Sequence, residues 1–139
     1  MKNFLKRVGT TYIPVNNPEE ASSWYRQLLG AVENYRDENK AILDLANQSF
    51  FLVKARPGEK IGFIDYKGEQ HFAFTFEVNG LDVLKQFHTF LRENGVVVSE
   101  IEDRGHPGYN FVFYDMDGNC FDVWSELSHD FKEKYQLEG

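Results

Sequence analysis

Two stretches of this chain, ANQSFFLV (46–53) and DGNCFDVW (117–124), align without a gap at a separation of 71 residues, placing Phe50 on Phe121, Phe51 on Asp122 and Leu52 on Val123. Internal repetition of this kind marks two copies of one supersecondary unit, neither of which can bury its own sheet face alone. The flanking segments repeat in the same order. In the first copy RVGTTYIPV reads as a strand, and NNPEEASSWYRQLLGA follows as a helix with both ends marked. Asn17 is its cap, Pro18 suits the first turn, Glu20 completes a capping box and Gly30 supplies the stop. Ala21, Trp24, Tyr25, Leu28 and Leu29 form one apolar stripe at helical spacing. Three strand-like runs come next: VENYRD, KAILDLA and SFFLVKA.

The second copy opens with HFAFTFEV, in which Phe72, Phe74, Phe76 and Val78 alternate to one face and His71, Ala73, Thr75 and Glu77 to the other. LDVLKQFHTFLRENG then predicts a helix carrying Leu84, Phe87 and Leu91 inward, closed by Gly95. VVVSEIED, NFVFYD and NCFDVWSE supply three more strands. The opening strands align at a separation of 61, Thr10 on His71 and Ile13 on Phe74. An α+β fold is therefore expected, with one domain over 1–139 built from two βαβββ modules, about 4–56 and 70–127. Residues 57–69 are read as linker and 128–139 as a tail, either a short amphipathic helix, with Phe131 and Tyr135 at i, i+4, or a frayed end. The economical assembly is one curved, partly open, barrel-like mixed sheet with its helices outside and a hollow within.

Charge and composition remove several classes of function. A net charge of −7, with no Lys/Arg run longer than two, argues against a nucleic-acid partner. The opening MKNFLKRVGTTYIPV holds no apolar stretch suited to a signal peptide or a membrane span. One cysteine, Cys120, excludes an intrachain disulfide, so a cytoplasmic location is the expectation. Thirteen Phe, seven Tyr and two Trp provide aromatic surface for a core or a pocket.

Asp122 sits in an apolar strand, where a carboxylate needs a partner. The paired modules, with IPV…A..WY..LLGA in the first and F.FYDMDGN.FDVW in the second, resemble the vicinal oxygen chelate superfamily, the glyoxalase, bleomycin-resistance and extradiol-dioxygenase group. The resemblance implies a glyoxalase-like fold in which first and last strands of each module converge on the hollow, placing Thr10, Phe51, His71 and Asp122 at the metal-ligand positions. Only His71 and Asp122 offer suitable atoms, for zinc, nickel, iron or manganese. The implied cofactor is thus either none or one divalent metal ion. His71 and Asp122 also alternate to the same face, so they could pair directly as a metal-free acid/base couple.

Thr10, Tyr12 and Phe51 are expected on one wall of the hollow, with Tyr114 and Trp124 on the other. His106, in the loop DRGHPGYN, could reach over the mouth. Cys120 and Val53 read as core, while His88 and His129 read as surface residues. Three functions remain in view. The first is binding of a small organic molecule without a complete metal site. The second is a metal-dependent lyase, isomerase, thiol transferase or dioxygenase using His71 and Asp122. The third is an interaction module with a vestigial pocket; a homodimer is what the resemblance implies.

Overall fold

In the computed structural model, which describes residues 2–136, helix α1 (Pro18–Leu29) begins and ends at the caps its sequence provides. The Asn17 side chain accepts the Glu19 and Glu20 amides at 3.0 and 3.2 Å, and Gly30 closes the helix in the left-handed region at φ +75°. Ala21 and Tyr25 are fully buried on its inner face. That face lies on a mixed four-stranded sheet of order β1 (Thr10–Val15), β4 (Gln48–Lys54), β3 (Lys40–Leu45) and β2 (Val32–Arg36). β1 runs parallel to β4 and the other pairs are antiparallel. Ile13, Ala41, Leu43, Phe50 and Leu52 fill the space between sheet and helix. These elements make up a compact unit of residues 1–60.

A second unit, residues 61–139, repeats the strand order. β7 (Thr75–Glu77) lies parallel to β9 (Cys120–Trp124), and β8 (Asn110–Tyr114) pairs antiparallel on the other side of β9. α2 (Leu81–Glu93) buries Leu84 and Leu91 and sets Phe87 against Phe111 and Phe113, with ring centroids 5.9 and 5.8 Å apart. Phe76, Phe113 and Phe121 complete this aromatic layer, so Phe121 and Val123 face the helix while Asp122 and Trp124 face away. The DMDGN turn fixes the register of β8 on β9. Asp115 accepts the amides of Asp117 and Asn119 through Oδ1 and the Asn119 side-chain amide through Oδ2, and Asn119 in turn accepts the Ile61 amide.

Several expectations need correction. The strand read over 71–78 is broken: β6 (Gln70–His71) pairs with β5 (Phe63–Ile64) in a separate hairpin, inside and beside the stretch read as linker. A tight Asp65 turn drives this, its side chain accepting the Lys67 and Glu69 amides, and Gly62 (φ +109°) lets the two backbones approach where a Cβ would collide with the His71 carbonyl. Register then sets Thr75, not His71, opposite Asp122, as Tyr12 lies opposite Phe51 in the first unit. The opening strands therefore correspond at a separation of 63 residues rather than 61. VVVSEIED is not a continuous strand but an irregular edge touching β8 at two bridges, Val98 to Phe113 and Glu102 to Asn110. There the Ser99 hydroxyl accepts the Val112 amide, taking a place in the ladder that a backbone carbonyl would hold. His88 is buried, not superficial; it donates from Nε2 to the Ser99 carbonyl at 2.8 Å and meets Phe111 edge-on. Among the described residues the strands of the first unit hydrogen-bond as one four-stranded sheet, and those of the second as a three-stranded sheet and a two-stranded hairpin. α3 (His129–Tyr135) matches the expected tail helix, its Phe131 and Tyr135 rings 4.7 Å apart; residues 137–139 of the tail lie outside the described residues.

Candidate functional site

On the face of the second unit's sheet away from α2 lies an open groove of about 630 Å³, in the range of small-molecule sites. Its floor is Thr75, Asn110, Asp122 and Trp124; its sides are Phe72, the 104–107 loop and the start of α3. Asp122 is 2% exposed and takes all its partners from the protein. Thr75 Oγ1 donates to Oδ2 at 2.8 Å, Asn110 Nδ2 donates to the same oxygen at 3.0 Å, and Arg104 Nη1 stands 3.0 Å from Oδ1. The last is a close ion pair without the alignment of a good hydrogen bond. Such an arrangement meets most of the demand a buried carboxylate makes: its charge is paired and Oδ2 takes two hydrogen bonds, while Oδ1 has the ion pair alone. Asn110 Oδ1, also buried, has no hydrogen-bond donor among the described residues.

The expected partner of Asp122, His71, is absent from the groove lining. Its Nδ1–H donates to the Phe72 carbonyl at 2.7 Å, and its ring stacks on Phe63 at 4.9 Å. The break between β6 and β7 explains the exchange: with the strand interrupted at 72–74, alternation no longer carries from Thr75 back to His71, and Phe72 enters the groove instead. The direct hydrogen bond expected between His71 and Asp122 is therefore not formed. Nor do the residues present fit a divalent ion at Asp122, since a guanidinium already occupies the cation's place and His71 is held in the hairpin. Among the described residues no group of three or more His, Cys, Asp or Glu side chains could hold a metal.

Two other expected residues do meet in the groove. Trp124 donates its indole N–H to the Pro107 carbonyl at 2.9 Å, and the His106 ring stands edge-on to it at 6.0 Å. The loop is pinned to β9 by that bond and by the Tyr109 amide donating to Ser125 Oγ at 2.8 Å. Gly108, at φ +80°, passes so close to Trp124 that a Cβ would lie 2.6 Å from Nε1. On the far side, Glu77 accepts the Ser128 amide at 2.9 Å and its hydroxyl, tying α3 to β7. Tyr114 lies outside the groove lining, at the other end of β8 opposite Cys120. Burial raises the pKa of the Cys120 thiol, which keeps it protonated and a poor nucleophile. Thr10, Tyr12 and Phe51 belong to the first unit, where Tyr12 and Phe51 sit side by side at 5.3 Å.

Sequence reasoning missed Thr75, Asn110, Phe72 and Arg104. Thr75 and Asn110 share the alternation of Asp122, a signal available in the sequence. Arg104 comes from an irregular loop, where no periodicity points to it.

A family model described as Glyoxalase/Bleomycin resistance protein/Dioxygenase superfamily matches residues 7–123. Among solved structures, a mutant fosfomycin resistance protein from Listeria monocytogenes superposes with a TM-score of 0.73 at 13% identity, covering 95% of this chain and 99% of that one. A glyoxylase/bleomycin resistance protein/dioxygenase domain from Frankia sp. EAN1pec gives 0.69 at 19%, covering 88% and 99%. Lactoylglutathione lyase from Agrobacterium tumefaciens gives 0.68 at 16%, covering 88% and 95%. At these identities the likeness establishes the fold. A search of curated proteins finds no match. Among the described residues no helix is long and apolar enough to cross a membrane.

Proposed function

The chain belongs to the glyoxalase/bleomycin resistance protein/dioxygenase superfamily, and from that membership we propose that its second unit binds a small organic molecule in the Trp124 groove without a metal ion in the site. The observation that carries this reading is the holding of Asp122 by Thr75, Asn110 and the Arg104 guanidinium. In an acid held that way Oδ2 is taken by two hydrogen bonds, and the positive charge that an ion would bring beside Oδ1 is already present as a guanidinium. What the groove does offer is aromatic surface at Trp124, Phe72 and His106, beside a few fixed polar groups. The fosfomycin resistance protein is described in complex with Mn(II); the metal chemistry of such a relative does not carry over to a site arranged in this way.

A thermal-shift screen of chelator-treated protein against neutral, anionic and cationic aromatic compounds tests the proposal. Stabilisation by at least one compound, unaffected by chelator and lost in Trp124→Ala, is expected. A response that appears only after zinc, nickel, iron or manganese is supplied would overturn it. The homodimer implied by the resemblance is part of the same proposal; light scattering at the mass of one chain would contradict it.

A further inference from the structure

We infer that Arg104 is the polar anchor of the groove and that the ligand is a neutral, planar aromatic compound presenting a carbonyl oxygen to it; the inference rests on the small-molecule reading proposed above. Arg104 is oriented before any ligand arrives. Its Nε donates to Glu102 Oε2 at 3.1 Å, its Nη1 pairs with Asp122 at 3.0 Å, and its guanidinium carbon lies 5.4 Å from the centroid of the Phe72 ring. Nη2, the remaining nitrogen, has no acceptor among the described residues. A guanidinium donates in its own plane and cannot lose its charge, so Nη2 is a permanent donor in search of an oxygen.

Charge decides which oxygen. Arg104 already faces two carboxylates, Glu102 and Asp122. Around the groove, Arg104 and Lys132 stand against Glu77, Asp122 and Glu126. A ligand carboxylate would add a negative charge to a cluster with a surplus of them. At Arg104 itself, a ligand ammonium would bring a donor to a donor and a like charge to a guanidinium. A neutral acceptor, as in an aryl ketone or an aromatic amide, meets neither penalty. Aromaticity follows from the remaining wall: the Trp124 N–H is spent on Pro107, so the indole presents only its ring, next to Phe72 and His106.

Three shape-matched probes separate the possibilities when titrated calorimetrically into the full chain: 2-acetylnaphthalene, 2-naphthoate and 2-ethylnaphthalene. The ketone is expected to bind about tenfold tighter than the ethyl compound, the usual gain from one hydrogen bond to a charged donor, and tighter than the carboxylate. Arg104→Lys keeps a cation for Asp122 but removes the planar fork, so the ketone's advantage over the ethyl compound should fall to about onefold. The wild-type comparison stands alone should that variant fold poorly. Equal binding of ketone and ethyl compound, or tightest binding of 2-naphthoate, would overturn the anchor while leaving a small-molecule groove. No binding of any of the three would count against both the anchor and the groove that it presupposes.

Discussion

Asp122 shows how a single buried acid constrains its surroundings. The need for a partner was legible from one carboxylate between Phe121 and Val123, since an unpaired charge in that strand is costly. The partner's identity was not, because Arg104 reaches the site from a loop whose path depends on the Trp124–Pro107 and Tyr109–Ser125 bonds. Removing the acid leaves the guanidinium, Thr75 and Asn110 without their acceptor. Asp122→Ala should therefore lower unfolding stability by about 3 kcal/mol in chemical denaturation, and Asp122→Asn by less. Asp37 gives an independent check of local electrostatics. The Asn39 amide, then the Tyr35 hydroxyl and Lys40, hold its carboxyl down from 3.8 to about 2. A depressed acid favours the folded state when ionised, so its contribution is complete above 3.8 and is lost as the pH falls through about 2. Denaturation of Asp37→Asn followed across that window should show a shallower pH dependence than the wild type.

At the scale of elements, α1 was readable in full because Asn17, Pro18 and Gly30 act locally and need no tertiary information. The division of β6 from β7 was not. Phe72, Phe74 and Phe76 satisfy a continuous strand's alternation as well as a broken one's, and only the Phe63–His71 pairing, a contact between segments, distinguishes them. That one break carries His71 out of the groove and Phe72 in, so an error of local register became an error of chemistry. Gly62 permits the hairpin, at a φ of +109° and with no room for a side chain. Gly62→Ala should loosen β5 and β6 selectively. Hydrogen exchange at the Asp65 amide, which bonds the Glu69 carbonyl, should quicken by roughly tenfold or more while amides in β8 and β9 keep their protection. Uniform acceleration throughout the second unit would show instead that the hairpin is integral to the sheet.

At the scale of the molecule, the repeat read from ANQSFFLV and DGNCFDVW survives as matching strand orders, β1-β4-β3 in one unit and β7-β9-β8 in the other. Divergence within that symmetry is where function is expected: opposite each other stand Tyr12 and Phe51 in the first unit, Thr75 and Asp122 in the second. The direct pairing of Asp122 with His71 assumed an unbroken strand, in which alternation runs from Thr75 back to His71; the break leaves Arg104 as the charge partner. The most direct measurement of a metal-free groove is the nitrogen–proton NMR spectrum of chelator-treated protein titrated with 2-acetylnaphthalene. The side-chain signals of Trp124 Nε1 and Arg104 Nε should shift together and saturably, with the backbone amides of β5 and β6 unmoved. Shifts that appear only once a divalent metal is restored, or that centre on His71 instead, would contradict it.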